Sequence, residues 1–340
     1  MASDAALSGA VGSFISASGE AGPMTADPLV HRIEFDIPWP PHTAYAYLID
    51  AEEPVLVDAG SPGEAGEESL RSGLAEAGYD LADVAHVLVT HPHTDHGGQV
   101  ASLVESADPT VYALDGVHER LARTADDLAD VVRDNATEVG TPDVDAQVDR
   151  AVDSLQRNRE CLPPDAIDVE VTHAEAFDAG GVTFEPVHVP GHQENQAAFL
   201  ADGRLFAGDT IVEPFRPAAL HVGLDRGCYD AVDAFYAGLR ALSEVEPRIE
   251  RVFPGHGPVF EDVASAIARD WKSLDDLVEA CRETVVAFDG PTPYEVTEAR
   301  IDNPRHMEFA IFETVGALAR LERHGLVESS LKDGVRRYTT

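Results

Sequence analysis

Lysine is almost absent from this 340-residue sequence, in which only Lys272 and Lys332 carry that side chain. The 24 basic residues, nearly all of them arginine, face 62 acidic residues, so the formal net charge is −38. A folded chain repels itself at such a charge unless salt screens it, and at molar salt the Debye length is about 3 Å. The acidic residues are spread over the whole chain, which excludes an acidic tail and predicts a halophilic protein. No lysine-rich stripe marks a surface for nucleic acid.

Cysteines and long apolar runs are also scarce. Cys161, Cys228 and Cys281 lie far apart without C-x-x-C spacing, which predicts ordinary thiols in a reducing compartment and a cytoplasmic location. No stretch approaches the roughly 20 apolar residues of a membrane span, so no membrane partner is expected. Residues 1–27 are rich in small residues and lack a basic leader segment, and their composition predicts disorder. Translation from Met24 rather than Met1 is a hypothesis at this stage.

From about residue 28 the sequence takes on regular patterns. Alternating segments such as VHRIEFDI and TAYAYLID predict strands, and the apolar spacing of residues 116–158 predicts two helices. Strands that first pair as hairpins and then alternate with helices indicate an α/β fold with a two-sheet core and helices outside. Residues 28–260 are expected to form this domain. Residues 116–158 are expected to be an insertion that caps one side of the active site, because an amphipathic helix pair must bury its apolar face.

A dense group of metal-ligand side chains follows one predicted strand. The segment HPHTDH, residues 91–96, comes directly after VAHVLVT and places four ligand-type residues within six positions. Neutral imidazoles and carboxylates bind first-row metals, and zinc in particular. Three further segments repeat the order of strand, tight turn and ligand-type residue: HVPGH with His192, LFAGD with Asp209, and VFPGHG with His256. The four segments together predict a metal site at the ends of several strands.

This ordered set, together with the early VLVDAGSP that contains Asp58, resembles the metallo-β-lactamase superfamily over roughly residues 30–260. The resemblance implies a four-layer αβ/βα sandwich with two metals at one edge, between the sheets. It implies that Asp58 orients ligand imidazoles through hydrogen bonds. It also implies that one metal is held by His91, His93 and His192. The second metal would be held by Asp95, His96 and His256, and Asp209 would bridge the two.

The chemistry implied by the resemblance is hydrolysis. Two cations that share a water lower its pKa from 15.7 toward about 7, and the metal-bridging hydroxide attacks a carbonyl carbon or a phosphorus. Asp95 and Asp209 are the expected catalytic carboxylates, with Asp95 as a proton shuttle. Zinc is the expected metal, two ions per chain, with iron and manganese as alternatives.

Candidate substrate contacts follow the bridging aspartate. Phe215 and Arg216 lie in a loop that often contacts substrate in the superfamily, and His221 follows the apolar segment PAAL. All three are predicted pocket residues.

Residues 261–340 show a different pattern, with helices followed by a hairpin around Asp333-Gly334. This pattern resembles the winged-helix extension in the branch that contains beta-lactamase-like protein 2, some of whose relatives cut single-stranded RNA. Gln193 and Gln196 depart from that branch, which usually has threonine or serine at the first position and often histidine at the second.

Three classes of function agree with these observations. The favoured one is a hydrolase for an ester, thioester or lactone of a small molecule. The second is a single-strand-specific endoribonuclease with the same metal site, and the third is a nucleic-acid-binding winged-helix protein with a vestigial metal site. The complete ligand set favours an enzyme. The oligomeric state stays open, a homodimer included.

Overall fold

The structure, a computed structural model, describes residues 29–173, 175–303 and 306–340. The expectations for residues 1–27, including the start at Met24, lie outside the described residues. Two stacked sheets with helices on their outer sides form the core, which confirms the predicted α/β class.

The first sheet has six strands in the order of the sequence: β1 (Val30–Asp36), β2 (Thr43–Ile49), β3 (Val55–Val57), β4 (His86–Val89), β5 (Thr110–Leu114) and β6 (Val169–Val171). The first three strands pair antiparallel, and the remaining neighbours pair parallel. Strands β3 and β4 are buried over nearly their whole length. A parallel strand covered on both faces is apolar throughout, which explains the short continuous runs VLV and HVLV.

The second sheet has five strands in the spatial order β11, β10, β9, β8, β7. Their bounds are β7 (Phe177–Ala179), β8 (Val182–His188), β9 (Ala197–Ala201), β10 (Arg204–Gly208) and β11 (Arg251–Pro254). Aromatic rings join the two sheets. The Tyr47 ring of β2 lies 5.9 Å from Phe206 and 5.4 Å from Phe253, and Tyr112 of β5 stacks on Phe177 at 5.0 Å. The main hydrophobic core therefore lies between the sheets.

Helices cover the outer sides of both sheets. On the first sheet, α1 (Gly63–Glu76) packs so closely on β1 that a Cβ at Gly73 would lie 2.6 Å from Ile33; α2 (Val100–Ala107) contributes to the same core. On the second sheet, Leu242 of α6 (Ala231–Val245) and Ile267 of α7 (Val263–Ala287) pack with Val187 and Leu205. The four layers agree with the predicted sandwich. Within the described ranges, no helix is both long enough and apolar enough to cross a bilayer.

The predicted insertion contains three helices, so the expectation of two was wrong. They are α3 (Val117–Ala122), α4 (Ala125–Val139) and α5 (Val144–Cys161). The first break occurs because Arg123 leaves the helical backbone, and the Thr124 side chain then accepts a hydrogen bond from the Asp127 amide as the cap of α4. Helix α4 packs on α5 and on the C-terminal hairpin. The role of this segment as a cap stays a prediction.

The C-terminal region consists of α7, α8 (Pro293–Arg300), α9 (Met307–Arg323) and the hairpin of β12 (Glu328–Lys332) and β13 (Val335–Thr339). The predicted hairpin turn has positive φ at both Asp333 (54°) and Gly334 (82°), as a type I′ turn requires. The region shares a core with the catalytic domain, because Leu318 and Tyr338 cluster with Leu239 of α6. The winged-helix assignment and the boundary at residue 261 stay predictions.

Candidate metal centre

The seven predicted metal ligands meet at one edge of the two sheets. Each follows a strand, and six are buried while His93 is half-buried. His91, His93, Asp95 and His96 come after β4. His192 comes after β8, Asp209 after β10 and His256 after β11. Strand ends that share a sheet edge bring residues together that are far apart in sequence.

Three imidazoles form the first donor group. His91 Nε2 lies 3.0 Å from His93 Nδ1, and His192 Nε2 lies 3.1 Å from the same His93 atom. Burial, together with the neighbouring histidines, holds the pKa of His91 and of His93 well below its usual value. Both rings are therefore neutral, which is the form that binds a metal.

One carboxylate and two imidazoles form the second group, and a further carboxylate lies between the two groups. Asp95 Oδ2 lies 3.5 Å from His256 Nε2 and 3.9 Å from His96 Nε2. Asp209 lies between the two groups, since its Oδ2 is 3.3 Å from His192 Nε2 and 3.2 Å from His256 Nε2. Its Oδ1 is 3.4 Å from His96 Nε2.

The donor set fits bound cations. His96 Nε2 and Asp209 Oδ1 are buried, and neither has a hydrogen-bond partner among the described residues. Buried polar atoms normally find a partner, and a cation held between these two would supply one. Gly255 leaves room at this point, because a Cβ there would lie 2.5 Å from both Asp209 Oδ1 and His96 Cε1. Imidazole and carboxylate donors suit zinc, iron and manganese alike.

Charge within the cluster supports the same interpretation. Burial alone would lower the pKa of His96, but Asp209, Asp58 and Asp95 together raise it well above its usual value. Burial likewise opposes ionisation of Asp209, yet His256 and His96 hold its pKa well below the usual range. Asp209 therefore stays ionised in a buried cluster that favours positive charge at its centre.

Asp58 forms a hydrogen bond with one of the second-group imidazoles. It follows β3, is 2% exposed, and adopts a left-handed backbone with φ 58°. Its carboxylate accepts hydrogen bonds from His96 Nδ1 at 2.8 Å, the Thr90 amide at 2.8 Å and Thr90 Oγ1 at 2.9 Å. The bond from His96 Nδ1 fixes a proton on that atom and directs Nε2 at the centre, where a cation would take the place of a second ring proton.

Backbone carbonyls orient two other imidazoles in the same way. His192 Nδ1 donates to the Ala218 carbonyl at 3.0 Å, and His256 Nδ1 donates to the Thr43 carbonyl at 2.6 Å. In both rings Nε2 is the atom that faces the centre. These partners were missed by the sequence reasoning, because every residue has a carbonyl and no sequence pattern distinguishes the one that is used.

His93 faces the centre through its other nitrogen. Its Nδ1 meets the first group, and its Nε2 lies 2.8 Å from the amide nitrogen of Gln193, which donates in this orientation. If Nδ1 binds a metal, Nε2 carries the proton, and the Gln193 amide must turn over so that its oxygen accepts. Gln193 is therefore a further site residue. The sequence showed it only as a departure from the branch pattern.

The three predicted pocket residues lie in different surroundings. Phe215 is half-buried in the loop after β10. The guanidinium of Arg216 is held by Glu313 at 2.8 Å and Ser273 at 3.0 Å, so it faces the C-terminal helices. His221 is buried beside the centre, where its amide donates to the His192 carbonyl at 2.9 Å. Of the three, His221 contacts the loop that carries His192.

The three thiols are free and buried, in agreement with the prediction of ordinary cysteines. Burial raises the pKa of Cys161 to about 11 and that of Cys228 to about 12. Both are thiols at neutral pH, whereas a nucleophilic cysteine needs a lowered pKa.

Comparison with known proteins agrees with the fold and the donor set. The sequence matches the metallo-beta-lactamase superfamily over residues 39–256, well over half of the chain. The chain belongs to this superfamily. It is therefore a hydrolase of the metallo-beta-lactamase fold with a histidine–aspartate cluster for metal binding.

Individual relatives are distant. A beta-lactamase-like protein 2 homolog of Drosophila melanogaster is 23% identical over 286 residues, which cover 78% of this chain and 80% of that protein. A hydroxyacylglutathione hydrolase of Xanthomonas campestris is 25% identical over 167 residues, 49% of this chain and 45% of that protein. Among solved structures, a metallo-beta-lactamase family protein from Thermus thermophilus has a TM-score of 0.77 at 24% identity, with 92% of this chain and 98% of that chain covered. This likeness extends the shared fold to the C-terminal region.

Proposed function

We propose that this metallo-beta-lactamase-fold protein is a dinuclear zinc hydrolase that cleaves an ester, thioester or lactone of a small molecule. The observation that carries the proposal is the geometry of Asp209, whose two oxygens lie 3.2 to 3.4 Å from imidazoles of both donor groups. One carboxylate that contacts both groups fits a bridge between two cations. The hydroxyacylglutathione hydrolase, named for a thioester substrate, supports the substrate class.

The donor groups would divide between the two metals as follows: His91, His93 and His192 hold one, Asp95, His96 and His256 hold the other, and Asp209 contacts both. When bound, such a pair lowers the pKa of a water molecule and polarises the substrate carbonyl. Zinc suits this nitrogen-rich set, and iron and manganese stay alternatives.

The chain's own residues orient the donors and handle protons. Asp58 and the carbonyls of Thr43 and Ala218 keep three imidazole protons on Nδ1, so the Nε2 atoms are the ones that would bind metal. Asp95 would pass a proton to the leaving group, because its Oδ2 lies at the edge of the second donor group.

The nucleic-acid alternatives gain little from the C-terminal hairpin. Its Arg336 pairs with Glu138 at 2.5 Å, and Arg337 lies 3.6 Å from Glu295. Both arginines already face carboxylates, whereas phosphate binding draws on uncommitted basic side chains. This observation favours a small-molecule substrate.

The test combines metal content with activity in protein purified in molar potassium chloride. Plasma mass spectrometry should find close to two transition metals per chain, and acyl thioesters should be cleaved. His91→Ala should lose a metal and abolish turnover while circular dichroism stays unchanged. His324→Ala, on an exposed histidine at the end of α9, is the matched control.

Two results would contradict the proposal. Metal-depleted protein that cleaves a thioester at the full rate would exclude the metal mechanism. Cleavage of single-stranded RNA, with none of thioesters, esters or lactones, would favour the endoribonuclease instead.

A further inference from the structure

An arginine of the insertion lies beside the loop that carries His192. Helix α3 begins directly after β5, and Asn195 Nδ2 donates to the Asp115 carbonyl at 3.0 Å. The contact is close, since a Cβ at Gly116 would lie 2.5 Å from Asn195 Nδ2. The first turn of α3 is therefore fixed against residues 192–196. Arg120 projects from this turn toward Glu194 of the same loop, at 3.8 Å.

Arg120 makes fewer polar contacts than the neighbouring arginines of the insertion. Its side chain, 25% exposed, makes no hydrogen bond to any described residue, and Glu194 is its ion-pair partner at 3.8 Å. Arg123 instead binds both Asp127 and Asp225, and Arg159 donates to backbone carbonyls. The five donors of the Arg120 guanidinium are therefore available to a further ligand.

Hydrogen bonds connect the surroundings of Arg120 to the candidate metal centre. The amide of Glu194, the residue that pairs with Arg120, donates to the His221 carbonyl at 3.3 Å, and the His221 amide donates to the His192 carbonyl at 2.9 Å. The ring of His221 is buried, and its Nδ1 has no hydrogen-bond partner among the described residues. Arg120 and the unpaired ring nitrogen of His221 thus belong to residues that both contact the loop carrying His192.

We infer that Arg120, with His221 beside it, binds an anionic group of the substrate, a carboxylate on the acyl part. This inference rests on the proposed function and narrows its substrate class. The planar guanidinium matches a carboxylate or a phosphate with two parallel hydrogen bonds. At molar salt the long-range repulsion from the net charge of −38 is screened, so an anionic group is held only by cations that it contacts directly.

The first test compares two thioesters of N-acetylcysteamine that differ in charge. The succinyl thioester carries the carboxylate, and the 4-methylpentanoyl thioester is its neutral isostere. Arg120→Gln should lower kcat/KM for the succinyl substrate about ten- to a hundred-fold and should leave the neutral one within about twofold. Arg120→Lys keeps the charge but loses the planar pair of donors, so its kcat/KM for the succinyl substrate should lie between those of wild type and Arg120→Gln. Arg157→Gln, an exposed arginine of α5, is the control with the same loss of charge.

The second test measures binding without catalysis. Isothermal titration of glutarate and, separately, of inorganic phosphate into wild-type protein and into Arg120→Gln decides whether the anion site exists. Binding of either anion that is lost in Arg120→Gln and kept in Arg157→Gln supports the inference, and the stronger anion identifies the group. Absence of binding of both to the wild type, or equal binding to all three proteins, overturns it.

Failure of the inference can be told from failure of the proposed function. If wild type cleaves both thioesters and Arg120→Gln affects both equally, the hydrolase stands and the anion site is wrong. If wild type cleaves neither thioester and none of the esters and lactones, the proposed function fails, and calorimetry alone decides the anion site.

Discussion

Replacement of Asp58 by asparagine tests how the metal ligands are oriented. Asp58 is 2% exposed and accepts three hydrogen bonds, from His96 Nδ1 and from two atoms of Thr90, at 2.8 to 2.9 Å. Its φ of 58° is one that asparagine also tolerates. Asp58→Asn therefore removes the charge and one acceptor oxygen while it keeps the shape of the backbone.

The magnitude follows from the bonds that are lost. A hydrogen bond to a charged group contributes about 1.5–3 kcal/mol, against about 1 kcal/mol for a neutral one, so the His96 contact should weaken by about 1–2 kcal/mol. Loss of a residue that orients a metal ligand costs about 10- to 100-fold in metal affinity. The two figures agree, because about 1.4 kcal/mol corresponds to a tenfold change in binding. If two metals bind as proposed, the one at His96 should be lost before the one at His91 and His93.

The assay is competition with a chromophoric zinc chelator in molar potassium chloride. Asp58→Asn should bind one zinc ion with lowered affinity and the other with near-native affinity. Asp108→Asn is the control, because Asp108 also has a positive φ, 52°, but is exposed at the end of α2. Two zinc affinities in Asp58→Asn within about twofold of wild type would refute the reasoning, since Asp58 would then not orient His96.

Three further predictions concern stability. Dilution from molar to millimolar potassium chloride should unfold the protein, because 62 acidic residues lose their screening; circular dichroism measures this, and an unchanged spectrum contradicts the halophilic interpretation. Burial raises the pKa of the Asp270 carboxyl to about 6, so the native state binds the carboxyl proton more tightly than the unfolded chain does. The contribution of Asp270 to the free energy of unfolding therefore falls as the pH rises from about 4 through 6. The free energy of unfolding of Asp270→Asn should therefore exceed that of wild type by about 2–3 kcal/mol at pH 7.5 and by about half as much at pH 5 in denaturant titrations; an equal difference at both pH values contradicts this. Glu138→Ala should lower stability by about 1–3 kcal/mol, because Glu138 accepts from both Tyr229 and Arg336, whereas the exposed Glu160→Ala should change thermal unfolding little.

Local sequence patterns were sufficient for the main strands and for the histidines and aspartates that meet at the candidate metal centre. The apolar runs of β3 and β4, the alternation of β1, and the turns before His192 and His256 all arise from neighbours in sequence. The hairpin around Asp333-Gly334 was predicted for the same reason, since a type I′ turn depends on two residues alone. The three-residue strands β6 (Val169–Val171) and β7 (Phe177–Ala179) were not predicted, because so short a segment has no readable period.

Contacts between distant segments were decided only by the tertiary structure. The sequence named Arg216 as a pocket residue, but Glu313, in α9, holds its guanidinium. The carbonyls of Thr43 and Ala218 orient His256 and His192, and the amide of Gln193 meets His93. The chemistry of a side chain is fixed by its type, so the sequence by itself determined which residues could bind metal. The partner of each side chain depends on which strand ends and helices meet, and only the packing of the two sheets and the insertion determines that.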